Sequence, residues 1–125
     1  MIATIAILCT ALVALEHIYI LWMEMFAWES KGRATFKGSL PDHLFTPTKG
    51  LAANQGLYNG FLAAGLIWSF LIQDPLWSSN VRLFFLGCVA TAGVYGAITA
   101  SPKIFFVQAL PALIAILFVL LERFG

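Results

Sequence analysis

"IATIAILCTALVALEHIYILWMEMFA", residues 2–27, decides the fold. The stretch has no glycine or proline, and Glu16, His17 and Glu24 are its only acidic or basic side chains. An apolar run without a breaker is helical. At about 1.5 Å of rise per residue it exceeds the roughly 20 residues that cross about 30 Å of hydrocarbon. A secretory leader begins with basic residues and has a shorter apolar core, so this run is read as a retained helix.

The rest of the chain agrees. Of 125 residues, 61% are hydrophobic and 10% charged, with a mean hydropathy of +0.90. An ordinary soluble domain is roughly 25% charged, so the expected partner of this surface is a lipid bilayer. A net charge of +1 gives no electrostatic footprint for nucleic acid. Two cysteines, Cys9 and Cys88, exclude a four-thiolate site and CxxC redox chemistry. They are read as small apolar residues rather than as a disulfide.

Three further apolar runs cover about 53–72, 82–100 and 103–122. The predicted fold is all-α: a polytopic membrane protein, a four-transmembrane-helix antiparallel bundle forming one integral membrane domain over 1–125. "QDPLWSSN" (73–80) reads as a short turn and "SPK" (101–103) as a tight hinge. The connection at 28–52 is a polar loop, with Phe36, Leu44 and Phe45 among basic residues suited to an interfacial segment. Trp28 and Trp77 suit interfacial anchors. Lys31, Arg33, Lys37, Lys49 and Lys103 fall on one side, against Arg82 and Arg123 on the other. The positive-inside bias then places the protein in the inner membrane with both termini outside and loop 28–52 cytoplasmic.

Within that topology the polar side chains gather near the cytoplasmic face. Glu16, His17 and Glu24 on the first helix, Asn54, Gln55, Tyr58 and Asn59 on the second, Tyr95 on the third and Gln108 on the fourth come to similar depths. A carboxylate inside hydrocarbon costs several kcal/mol unless it is paired, hydrogen-bonded or protonated, so these groups are expected to meet one another. Gly56, Gly60 and Ala64, and again Ala92, Gly96 and Ala100, have the small-xxx-small spacing that lets backbones approach. Whether those faces join helices or protomers stays open. Pro111 either bends the fourth helix around a cavity or reflects the tolerance of membrane helices for proline.

The nine residues Glu16, His17, Glu24, Asn54, Gln55, Tyr58, Asn59, Tyr95 and Gln108 form the candidate ligand-binding set. Glu24 and His17 would be acid and base if the protein is an enzyme. His17 and Glu24 lie seven residues apart, not at the spacing by which two ligands share an ion, so no metal is expected. No cofactor is expected either, because phosphate-loop, dinucleotide and nucleophile-elbow motifs are absent.

"EHIYILWMEMFAW" (16–28), "NQGLYNGFLAAGL" (54–66), "AGVYGA" (92–97) and "VQALPAL" (107–113) resemble a family of small bacterial membrane proteins. That family is the domain of unknown function 1304, and the resemblance runs the whole length. It implies a four-helix integral membrane protein and brings no activity or catalytic residue. The function expected first is binding or transport of a small amphipathic or cationic molecule, with a homodimer needed to wall a pore. The alternatives are an intramembrane acid/base enzyme, isomerase-like, acting on a lipid or isoprenoid, and a non-catalytic membrane scaffold.

Overall fold

A computed structural model describes all residues, Met1–Gly125. The fold is all-helical. Helix α1 spans Ile2–Phe26. A π-helical turn, Trp28–Gly32, runs into the short α2, Arg33–Thr35, and a 3-10 turn covers Asp42–Leu44. Helix α3 spans Lys49–Leu71 and α4 spans Pro75–Thr99. A second π-helical turn, Phe105–Ala109, leads into α5, Leu110–Phe124. There are thus five α-helices where four were expected, because the loop at 28–52 coils into a turn of helix of its own.

Three helical stretches are long and apolar enough to cross a membrane by length and composition: Ile2–Phe26, Pro75–Thr99 and Phe105–Phe124. α3 has the length but not the hydropathy, since Lys49, Asn54, Gln55 and Asn59 all fall within it.

The boundaries have local causes. Asp74 caps α4, its carboxylate accepting from the Leu76 backbone N–H at 3.1 Å, and Pro75 occupies the first turn, where a missing N–H costs nothing. The helix therefore begins at 75 rather than 82, and Arg82 lies about two turns inside it. α3 likewise starts at 49 rather than 53. Before α5, the Leu110 N–H reaches back five residues to the Phe105 carbonyl. This widened turn sits one residue ahead of Pro111, which cannot donate the bond a regular helix would need there.

The chain forms two compact units. The first comprises Met1–Leu15 and Leu62–Gly125. Its core contains Ala6, Val13, Ala14, Leu66, Leu86, Val89, Ala90, Ala112, Ala115 and Val119, with Cys9 packed against it. Arg82, Leu86, Val89, Ala90 and Gly93 are the buried positions of α4, one helical face at steps of three and four. Gly93 is where α4 meets the π turn, since a Cβ there would lie 2.8 Å from the Ala109 Cα. The closest approach is therefore at Gly93; of the expected stripe, Gly96 faces Ile104, where a Cβ would lie 3.1 Å from Cγ2, while Ala92 and Ala100 are exposed. Both cysteines are free thiols.

The second unit is Glu16–Phe61. Here the loop folds on Trp28. The indole N–H donates to the Thr48 hydroxyl at 3.0 Å, and the ring lies against Phe36 and Phe45 at centroid distances of 5.6 and 5.2 Å. Gly32 admits the same ring, for a Cβ there would sit 2.6 Å from Trp28 Cε3. Phe45 is 1% exposed, so it serves as the loop's own core instead of an interfacial anchor. Gly38 has φ +88° and makes the turn that only glycine adopts freely.

Candidate functional site

Within the second unit, α3 brings Asn59 against Glu24 of α1. The Asn59 amide donates 2.7 Å to Glu24 Oε1 and 3.2 Å to the Gln55 carbonyl, one turn earlier. Glu24 is 4% exposed and His17 1%. The contact depends on glycine: a Cβ on Gly56 would lie 2.8 Å from Met25 Cγ and 2.9 Å from Glu24 Cβ. A Cβ on Gly60 would overlap Leu21. The Gly56–Gly60 face therefore joins α3 to α1, and Ala64 is exposed.

The remaining expected residues diverge. Asn54, Gln55 and Tyr58 are exposed on α3, Tyr58 by 57%. Tyr58 packs edge-on against Phe61 at 5.7 Å. Glu16 is half-buried, and its Oε1 is buried without a hydrogen-bond partner. In the first unit, Tyr95 is 69% exposed and Gln108, inside the π turn, is half-buried. No group of three or more His, Cys, Asp or Glu side chains converges.

The Lys and Arg ion pairs belong to the loop and the start of α3. Arg33 Nη1 meets Asp42 Oδ1 at 2.7 Å and Lys49 Nζ meets Glu29 Oε1 at 3.3 Å. The Thr46 hydroxyl donates to the other Glu29 oxygen at 2.9 Å. That hydrogen bond, then Lys49, holds the Glu29 carboxyl below its ordinary titration range. A groove of about 570 Å³ runs along this loop past Ser30, Arg33, Lys37, Asp42 and Phe45.

A second polar cluster lies in the first unit, where sequence reasoning placed only a turn. Arg82 is 7% exposed. Its Nε and Nη2 point to the hydroxyls of Ser69 and Ser78 at 3.5 and 3.3 Å. Its guanidinium lies 4.8 Å from the centre of the Phe70 ring. The overlooked signal was Asp74-Pro75, a helix cap followed by a first-turn proline.

Three apolar helices of membrane length, with an amide–carboxyl contact joining α1 to α3, define a class: small all-helical proteins suited to a membrane. The chain belongs to the family described as Protein of unknown function (DUF1304), which matches residues 11–120. It is 32% identical over 114 residues to the uncharacterized protein YpaA of Lactococcus lactis subsp. lactis (strain IL1403), covering 90% of this chain and 94% of that one. No solved structure matches it.

Proposed function

We propose a multi-pass protein of the inner membrane, with α1, α3, α4 and the helix from Phe105 as its four spans. It binds a small amphipathic or cationic molecule beside Glu24, on the cytoplasmic side. α3 joins the spans because its 23 residues reach about 34 Å, and its amides are the polar groups such a site would use. The orientation is supported by Lys31, Lys37 and Lys49, exposed in the unit that contains the loop. Arg82 is buried two turns into α4, which leaves Arg123 as the flanking cation on the opposite side and sharpens the bias.

One observation carries the binding reading. Glu24 is buried with Asn59 as its one hydrogen-bonding side chain, and no lysine or arginine pairs with it. A buried carboxyl without a cation is an attractive site for a positively charged guest. Asn54 and Gln55, exposed on α3 about one turn before Asn59, offer further hydrogen bonds. The Gly56–Gly60 seat also favours a second reading, in which Glu24–Asn59 is a structural lock and the protein a scaffold.

Binding of tetraphenylphosphonium to the purified full chain in neutral detergent separates the two. The site reading expects saturable binding by the wild type and a loss of about tenfold or more in Glu24→Gln, the range expected for a charge-assisted contact. Thermal stability should change little, since glutamine keeps the hydrogen-bonding shape. A wild type that binds no lipophilic cation, or a variant that binds as well, leaves the scaffold.

A further inference from the structure

The start of α4 and the end of α5 flank a half-open cavity of about 310 Å³, lined by Pro75, Leu76, Ser78, Ser79, Arg82, Val119, Glu122 and Arg123. We propose that this cavity binds a phosphate group, carried by a lipid headgroup or free in solution. The site is separate from Glu24 and does not depend on a role for it.

Three features of the lining call for an anion. Arg82 is buried, yet its hydrogen bonds go to two neutral serine hydroxyls at long range, and no carboxylate comes within ion-pair distance. A guanidinium has five N–H donors in a planar fork, and the one carboxylate that acts on Arg82, Glu122, does so through space and fills none of them. The Ser79 hydroxyl oxygen is also buried with no hydrogen-bond partner. A buried polar group left unsatisfied marks either a cost or a missing ligand. Finally, two arginines line the space against a single carboxylate, Glu122. Arg123 is tied to Asn80 by a 2.6 Å bond to its amide oxygen, which holds its charge beside the cavity.

Phosphate fits this set better than a carboxylate. Its oxygens point in tetrahedral directions and take donors from several sides at once: the Arg82 fork, the Ser79 hydroxyl and Arg123. Arginine–phosphate contacts of this kind are among the strong charge-assisted hydrogen bonds. Glu122 lines the same cavity and acts on Arg82 through space, so a bound phosphate takes over the guanidinium donors that Glu122 leaves open. Phe70, against the face of the guanidinium, fixes the plane in which the fork presents itself.

The test uses the full-length protein in neutral detergent, freed of copurifying lipid. It is titrated with short-chain phosphatidylglycerol, with inorganic phosphate, and with the matching diacylglycerol that has no phosphate. Saturable binding of phosphatidylglycerol, not matched by diacylglycerol, supports the site. If inorganic phosphate competes at comparable concentration, the free anion is the source. If it does not, the lipid headgroup is. Arg82→Gln should weaken binding about tenfold or more, as loss of a charge-assisted contact does. Ser79→Ala should weaken it a few-fold with no loss of thermal stability, because it removes an orphaned hydroxyl. Should Arg82→Gln fail to fold, Arg82→Lys keeps the charge and loses the fork, and should still weaken binding. Equal affinity in Ser79→Ala and Arg82→Lys, binding of neither phosphate form, or diacylglycerol binding as tightly as phosphatidylglycerol overturns the proposal.

Discussion

Where α4 meets the π turn, Gly93 lies against Ala109, and Leu86, Val89, Ala112, Ala115 and Val119 of α4 and α5 are buried in one apolar core. In Glu16–Phe61, by contrast, elements are joined by named polar bonds: Asn59 to Glu24, Trp28 to Thr48, Arg33 to Asp42, Thr46 and Lys49 to Glu29. The first kind of contact comes from backbones brought close enough for dispersion to act, which needs small side chains but no particular chemistry. The second needs a specific donor opposite a specific acceptor. A close-packed face fails when something is added to it, and a polar one fails when a partner is removed.

The largest effect is expected where the first unit is tightest. Gly93→Leu places a side chain into the backbone at Ala109, and cores that are overpacked in this way lose about 3 kcal/mol. Thermal unfolding in detergent should show a large drop in melting temperature. Gly87 on the same helix is a control, because a Cβ there meets nothing within 4 Å. Gly87→Ala should be neutral or stabilising by up to about 1 kcal/mol, as alanine favours a helix. Equal behaviour at the two positions would show that the α4–π turn contact is not tight.

The second unit should respond to removal. Asn59→Leu strips Glu24 of its hydrogen bond, and a buried acceptor left without its donor costs about 1–3 kcal/mol. Adding Glu24→Met removes the orphan too, so the double variant should recover part of the loss. A double-mutant cycle on thermal stability then returns a coupling of about 0.5–3 kcal/mol. Additive effects would mean that the 2.7 Å contact contributes nothing specific.

These contrasts also explain how much was readable beforehand. Long apolar runs announce helices wherever they occur, because hydropathy needs no partner to be recognised. Glu24 and Asn59 could be paired by depth alone, as the expected helix bounds at 27 and 53 put both near the cytoplasmic face. Depth says nothing of direction, however. A helix turns about 100° per residue, so Tyr58 points outward beside an Asn59 that points inward. The small-residue stripes held in part for the same reason: Gly56, Gly60 and Gly96 make close approaches, while Ala92 and Ala100 have the spacing but are exposed and the tightest α4 contact is at Gly93. Arg82 was missed through a boundary. Ending the turn at 80 made it a flanking charge, and reading Asp74-Pro75 as cap and first turn would have placed it inside α4, one turn beyond Ser78.

The smallest effect concerns the charged end of the second unit and tests whether its exposed polar bonds matter at all. Glu29 is held charged by the Thr46 hydroxyl and by Lys49, so its carboxyl titrates below the ordinary value of 4.5. A carboxylate with a lowered folded-state pKa binds its proton less readily folded than unfolded. It therefore stabilises the fold above pH 4.5, and that contribution is lost as pH falls through the lowered value. Carbon-13 NMR of a glutamate-labelled protein should show Glu29 titrating below 4.5. Thr46→Ala and Lys49→Gln should each move it upward, because each removes an influence that lowers it. In Glu29→Gln, the part of the acid sensitivity below pH 4.5 that comes from this group should vanish. A Glu29 that titrates at 4.5 in both variants and wild type would reduce its contacts with Thr46 and Lys49 to solvated charges, leaving the Trp28–Thr48 bond and the burial of Phe45 to hold the loop.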